Sequence, residues 1–363
     1  MSKVTFANTN SGFHATLNQR VEAYFKENGL PKTGTPALYV KGAVLVMAAV
    51  ALYGVLLFVP LPWSIALLCC ALFGIVLAGI GFNIMHDACH GGFSSNQRVN
   101  DVAGLSLNCL GGNAYIWKLK HNIVHHTYTN VDGVDDDIAK LPLIRQCGTQ
   151  KWNPAHRGQH YYMFLIYGLS SFLWAAVMDF QKYFSGMVYR TPINNFPLRE
   201  HIIFWASKAL FVVFYVALPI YMVGFMPWLI GFATMQVCMG LTLAMVFQLA
   251  HVVEGVHFDE AYEGRKLENE WAKHQVMTTA NFAMDSKAVS WFVGGLNFQI
   301  EHHLFPRVSH VHYPAIAPIV QQVCREHNVP YTSFPSVAAA FASHYRFMRW
   351  LGQRGDTSPL ALS

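Results

Sequence analysis

Charge is scarce in this chain. Of its 363 residues, 25 are Lys or Arg and 20 are Asp or Glu, against 53% hydrophobic residues, too little polar material to cover a soluble surface of this size. The net charge of +5 comes without a long basic run or cations interleaved with aromatics, so nucleic acid is set aside as a partner. Cysteine is sparse too. The seven present (Cys69, Cys70, Cys89, Cys109, Cys147, Cys238 and Cys324) contain no C-x-x-C pair, and several lie in apolar runs where a thiol acts as a small hydrophobe, so neither a disulfide framework nor a zinc knuckle is expected. The first forty residues lack the short apolar core and small-residue cleavage site of a removable signal peptide, which would leave the first membrane helix as the insertion signal. No repeat or low-complexity tract is present.

Long apolar runs are abundant, and a helix needs about 20 apolar residues to cross a bilayer. One run is broken at Pro60-Leu61-Pro62-Trp63 and gives spans of roughly 42–59 and 64–84; a second is broken at Gly224-Phe225-Met226-Pro227-Trp228 and gives spans of roughly 203–223 and 228–250. Lys208 lies close enough to a helix end to snorkel. A further apolar stretch, 161–180, is long enough for a fifth span, but charge argues against it. Apart from Lys208, 5 Lys or Arg precede the first hairpin, 10 lie between the hairpins and 9 follow the second, with none in either hairpin turn. By the positive-inside rule both hairpins dip outward from one cytoplasmic face, and 161–180 is expected to be interfacial or re-entrant. Before the first hairpin, Phe13, Leu17, Val21 and Phe25 recur at helical spacing, with Ser11 as a candidate N-cap and Gly29 as a stop. This amphipathic helix suits either the membrane surface or packing on the cytoplasmic domain.

The expected organisation is one all-α integral-membrane domain over 1–363. It comprises a cytoplasmic N-terminus (1–41), a hairpin (42–84), a cytoplasmic segment (85–201), a second hairpin (202–250) and a cytoplasmic remainder (251–363) whose part beyond 310 reads as a helical cap.

Seven of the eighteen histidines form three groups on that one face. His86 and His90 are spaced i, i+4 at the end of the second span, which puts both rings on one helix face; Asp87 replaces the glutamate of a zinc-protease motif. His121, His125 and His126 present two rings on one face and a third just around the helix. The third group is Gln299-Ile300-Glu301-His302-His303-Leu304-Phe305-Pro306. Seven imidazoles without thiolates suit a borderline transition metal such as iron rather than calcium or magnesium, and seven exceed what one ion uses. Two metals are implied.

These three groups, in this order around two hairpins, resemble the histidine boxes of the membrane fatty acid desaturase superfamily. The resemblance covers nearly the whole chain. It implies a cytoplasmic non-haem diiron centre that uses dioxygen and two electrons to remove two hydrogens from an acyl chain linked to coenzyme A or lipid. Carried over by position, the ligands are His86, His90, His121, His125, His126, His302 and His303. The glutamine-first third box is similar to that of front-end and many bacterial acyl desaturases, and makes Gln299 a further metal candidate; it also hints at insertion counted from the carboxyl end. The superfamily takes one more ligand from the end of its fourth span, where His251 is the choice here and His274, beside Lys273, reads as a solvated surface residue. His156, His160 and His257 are taken as surface or supporting residues.

Asp135 and Glu301 are candidates to hold ligating imidazoles, with a solvated acidic turn around Gly133 as the alternative for Asp135. Trp117, one helical turn before His121, is a candidate to line the acyl tunnel, an interfacial anchor being the alternative. Arg157, with Lys118, Lys120 and Lys151, is a candidate for a phosphate-bearing head group or for anionic lipid. No His-Pro-Gly-Gly haem segment is present, which implies a separate electron donor such as a ferredoxin, rubredoxin or cytochrome. The rival readings are a hydroxylase on the same scaffold and, in a different class, a membrane metal transporter, which would place its histidines within the spans.

Overall fold

The structure, a computed structural model, describes residues 4–7, 12–138, 142–262 and 265–353. Among these residues five helices are long and apolar enough to cross a membrane: Pro36–Phe58, Trp63–His90, Pro154–Ser185, Leu198–Val223 and Phe225–His251. Four match the expected hairpin spans, with longer bounds. The first begins at Pro36 and the third at Leu198, because helical backbone continues through polar turns that hydropathy discounts. Proline in the first turn suits the Pro36 start, since its missing N–H has no partner there in any case.

The 161–180 stretch lies inside the fifth helix, which is 32 residues long. Its beginning and its end both meet segments that surround the histidines. Gln159 Nε2 donates to the Met348 carbonyl (2.9 Å), and Lys182 Nζ pairs with Asp136 at 3.0 Å. Between these ties the helix crosses Phe225–His251 with backbone against backbone: a Cβ on Gly240 would stand 2.5 Å from the Gly168 carbonyl oxygen. Close approach of this kind is what small residues permit between membrane helices.

Lys208 does not snorkel. Its ammonium is buried, bonded to Asp179 Oδ2 (2.9 Å) and to the carbonyls of Gly111 (2.6 Å) and Ala175 (2.9 Å), so a charge that hydropathy sends outward is neutralised between helices.

The amphipathic helix forms over Phe13–Glu27. Its apolar stripe is buried on the polar domain: Phe13 and Leu17 pack against Val276, Ile300 and Val320, and Val21 and Phe25 against Phe298 and Ile316. Ser11 lies outside the described residues. Beyond residue 310 lie two helices, Tyr313–Glu326 and Val337–Gln353. Short parallel strand pairs tie distant segments beside the histidines, Val131–Asp132 with Asp259–Glu260 and Asn281–Phe282 with Ser333–Phe334.

Candidate metal centre

The second histidine group does not sit on a regular α-helix. Leu119–His125 is a π-helical turn, and the His126 amide donates to the His121 carbonyl at 3.0 Å, an i to i+5 bond. One extra residue per turn brings His121 and His126 together, with their Nε2 atoms 3.2 Å apart. His125 turns the other way. Another π-turn, Gly81–Met85, precedes the first group and helps set the direction of His86, in keeping with the frequency of such bulges at functional sites. Gly91, at φ +80°, then ends that helix in the left-handed conformation that glycine adopts without strain.

All the expected histidines converge. His86, His90, His121 and His302 offer ring nitrogens within 4.8 Å of one another; so do His125, His251 and His303, and so do His126, His302 and His303. The sets overlap, forming one continuous cluster with room for more than one ion. His251, at the end of Phe225–His251, lies 4.9 Å from His125 and 5.0 Å from His303 between ring centroids.

In His125, His302 and His303 one ring nitrogen is held and the other is not. His125 Nδ1 donates to Asp135 Oδ2 (3.0 Å), while Asp135 also receives the amides of Asn130 and Asp137. His303 Nδ1 donates to Gln275 Oε1 (2.8 Å), and His302 Nδ1 lies 3.1 Å from the Tyr313 hydroxyl. Meanwhile Nε2 of His90, His125, His251, His302 and His303, and Oε1 of Gln299, are buried without a hydrogen-bond partner. Unpaired buried acceptors are costly, and a donor set of this kind fits a metal ion, whose imidazole ligands commonly donate their other N–H to a carboxylate or carbonyl. Burial, reinforced by neighbouring imidazoles, holds His121, His126, His302 and His303 well below the ordinary histidine range, hence neutral and able to ligate. For His125, burial opposes protonation but the Asp135 carboxylate outweighs it and raises the ring. Buried, neutral histidine clusters of this kind can bind metal.

The remaining candidates fall in several places. Asp135 supports a histidine directly, not as part of a solvated turn. Glu301 touches no histidine ring: it receives hydrogen bonds from Asn281 (2.7 Å) and Tyr331 (2.8 Å), while Asn281 Oδ1 receives the Ile300 amide. It therefore anchors the short helix Gln299–Leu304 that carries His302 and His303. Burial pushes the Glu301 carboxyl up to about 7, against those donors. Trp117 stacks on His121 with centroids 4.2 Å apart. Arg157 stacks on Trp152 instead of meeting the cluster or the cavity beside it. His274 is not a solvated residue; it is buried, with Nε2 on the Thr129 carbonyl at 2.8 Å. His156 and His160 are buried as well, and the His257 side chain is partly exposed beside Asp259. Sequence reasoning missed Gln275, Tyr313 and the tie from Asp87 to Ser309 Oγ (2.7 Å) and His310 Nδ1 (2.9 Å), which joins the first histidine group to the segment after the third. Gln275 sits beside the histidine dismissed as surface, so its neighbour was the one available signal.

A cavity of about 720 Å³ runs past the cluster. His86, His121, Trp117 and Gln299 form part of its wall. The rest of its lining combines charged and amide side chains, Lys120, Asp136, Asp137, Gln146, Gln181 and Lys182, with Tyr167 and apolar side chains such as Ile166, Leu243 and Ala244. Lys120 is paired with Asp137 at 2.6 Å.

The fold and site thus define a polytopic membrane protein with a buried histidine cluster able to bind metal beside a large cavity. The chain belongs to the fatty acid desaturase family, whose model matches residues 61–335. It is 35% identical to an sn-1 linoleoyl-lipid 6-desaturase of Synechocystis sp. over 94% of this chain and 96% of that protein. It is 34% identical to the Arthrospira platensis protein of the same description, over 99% and 97%, and 35% identical to an acyl-lipid (8-3)-desaturase of Physcomitrium patens, over 94% and 72%. The protein is a fatty acyl desaturase, an integral-membrane oxidoreductase acting on acyl chains with dioxygen.

Proposed function

We propose that this chain is a diiron desaturase of lipid-linked acyl chains that places its double bond toward the carboxyl end. The observation that carries the reading is a cavity whose wall combines histidines of the cluster with many apolar side chains and a group of charged and amide ones. In this reading the acyl tail lies on the apolar lining and its ester and head group meet the polar side chains. The two lysines of the lining are matched by Asp136 and Asp137, and Gln146 and Gln181 add neutral hydrogen-bonding groups. A lining so balanced suits a neutral or zwitterionic lipid head group better than the several phosphates of coenzyme A, which favour clustered cations. The relatives described as acyl-lipid desaturases support the same substrate class.

In this reading two irons are held by His86, His90, His121, His125, His126, His251, His302 and His303, with Gln299 contributing its unpaired Oε1. Iron suits an imidazole-rich, thiolate-free set. When bound it supplies the oxidation: dioxygen takes two electrons and two protons from neighbouring methylenes, two electrons from an outside carrier and two protons from solvent, leaving two waters. The residues around it position and exclude. Asp135, Gln275 and Tyr313 fix the tautomers of His125, His303 and His302, so that Nε2 points inward. Trp117 covers His121, and the apolar cavity wall keeps water from the reacting carbons, since holding one methylene near the oxidant is what distinguishes it from the next.

The same reading takes Pro154–Ser185 as re-entrant, leaving four crossing helices within a single domain and the metal centre on the cytoplasmic face. Its support is that both helix ends are tied beside the histidines and that the hairpin turns carry no Lys or Arg. The electron donor is a separate one-electron carrier.

The test supplies purified, reduced enzyme with matched acyl-lipid and acyl-CoA substrates under oxygen-18. Desaturated acyl-lipid without label is the expected product, its double bond mapped by mass spectrometry. Labelled hydroxyl product would make the protein a hydroxylase, and exclusive use of acyl-CoA would overturn the head-group assignment.

A further inference from the structure

The helix Val337–Gln353 packs on the cavity wall and makes a polar tie to it through His344. His344 is fully buried; its Nδ1 donates to the Val252 carbonyl at 2.6 Å, which fixes the tautomer and leaves Nε2 to accept from the Tyr167 hydroxyl at 3.0 Å. Burial holds the ring down at about 4, so it stays neutral and keeps this polarity of donors and acceptors. Val252 is the residue after His251. Tyr167 lines the cavity, and its backbone is pinned against Gly240 by the helix crossing: a Cβ on Gly240 would stand 2.7 Å from the Tyr167 carbonyl oxygen. Gly240 and His251 are eleven residues apart on one helix, about 16 Å along its axis. The chain Tyr167, His344, Val252 therefore bridges the cavity wall and the end of the helix that carries His251. Ser343, accepting the Glu254 amide at 3.0 Å, clasps the same turn.

We propose that Tyr167 sets which methylene of the acyl chain faces the histidine cluster, and that His344 is a positioning residue that holds the Tyr167 phenol at a fixed distance from His251. With its ester held at the polar side chains, the alkyl chain offers no polar feature near the reacting carbons, so which methylene meets the cluster depends on the path the wall gives it. A phenol anchored at both its backbone and its hydroxyl is a rigid part of that wall. Released at the hydroxyl, the ring gains rotamer freedom and the chain can slide by a carbon or two. This inference rests on the cavity being the acyl site.

The experiment maps double-bond positions by mass spectrometry in lipids of a host lacking the activity and expressing the full chain as wild type, Tyr167→Phe, His344→Gln, His344→Leu or Ala244→Phe, with iron content and the kcat and KM of each purified protein. Tyr167→Phe and His344→Gln are expected to keep their iron and to raise the ratio of misplaced to main isomer roughly fivefold or more, the scale of one buried hydrogen bond. His344→Gln retains one of the two bonds and should shift less than His344→Leu. A single unchanged isomer in both variants, or a fall in kcat that merely follows lost iron, would overturn the proposal. Ala244→Phe, on the same apolar stretch of the cavity but outside the chain of bonds, separates the two readings. If it leaves long-chain activity and KM untouched, the cavity is not the acyl site and the proposed function fails with the inference. If it abolishes use of long chains while the other variants keep one isomer, only the inference falls.

Discussion

The carboxylate of Asp135 lies 3.0 Å from Nδ1 of His125, ten residues earlier, and both side chains are completely buried. The pair fixes which nitrogen of His125 faces the cluster. Asp135→Asn keeps the volume but removes the charge and lets the amide present its N–H instead, so the ring is free to flip. Metal affinity should fall by about 10- to 100-fold, the usual cost of losing such a support, measured by iron retained through dialysis against a chelator. Unchanged retention would remove Asp135 from the centre.

Lys208 and Asp179 form a buried pair between helices, away from the histidines. Breaking one partner strands the other charge, so Lys208→Met should cost roughly 3–5 kcal/mol, while Lys208→Met with Asp179→Leu should recover much of the loss. Thermal unfolding in detergent reads both. Equal loss in the single and double variants would mean the pair matters only for packing.

Acid should weaken the metal-free protein. His121, His126, His302 and His303 are held below their ordinary value of 6.5, so below that pH the unfolded chain binds more protons than the folded one and stability falls as pH drops. His125, raised by Asp135, and Glu301, raised to about 7 by burial, have the opposite sign, and four groups outweigh two. The unfolding midpoint of the apoprotein should hold steady above about pH 7 and decline below about 6.5; a midpoint that rises on acidification would contradict neutral, buried rings.

The path of Pro154–Ser185 is open to chemical labelling. Lys151→Cys and Arg190→Cys flank this helix at exposed positions. A membrane-impermeant thiol reagent should reach both from the cytoplasmic side in oriented vesicles. Labelling from opposite sides would make the helix a fifth crossing.

What the sequence carried was composition and local spacing. The apolar runs located the four hairpin helices, and the three histidine groups converge as their order implied, because ligand identity and helix register are local properties. The π-turn at Leu119–His125 was not legible. It pairs His121 with His126 in a way that an α-helical period does not, and its cause lies in the surrounding packing. Gln275 and Tyr313 were hard to see for a related reason: each meets a ring from another segment, 28 residues away for Gln275 and 11 for Tyr313, and only His274, beside Gln275, marks either of them. Charged residues misled most. Lys208 and the His274 neighbourhood suggested water, and both sites are buried because a carboxylate or carbonyl waits inside.

The central claim is that the overlapping histidine sets form one two-iron centre. Metal analysis of the purified full-length protein, with Mössbauer spectroscopy after growth on iron-57, tests it most directly. The account predicts about two irons per chain in nitrogen-rich, thiolate-free surroundings that are magnetically coupled when oxidised. Zinc in place of iron, or a single uncoupled iron per chain, would contradict it.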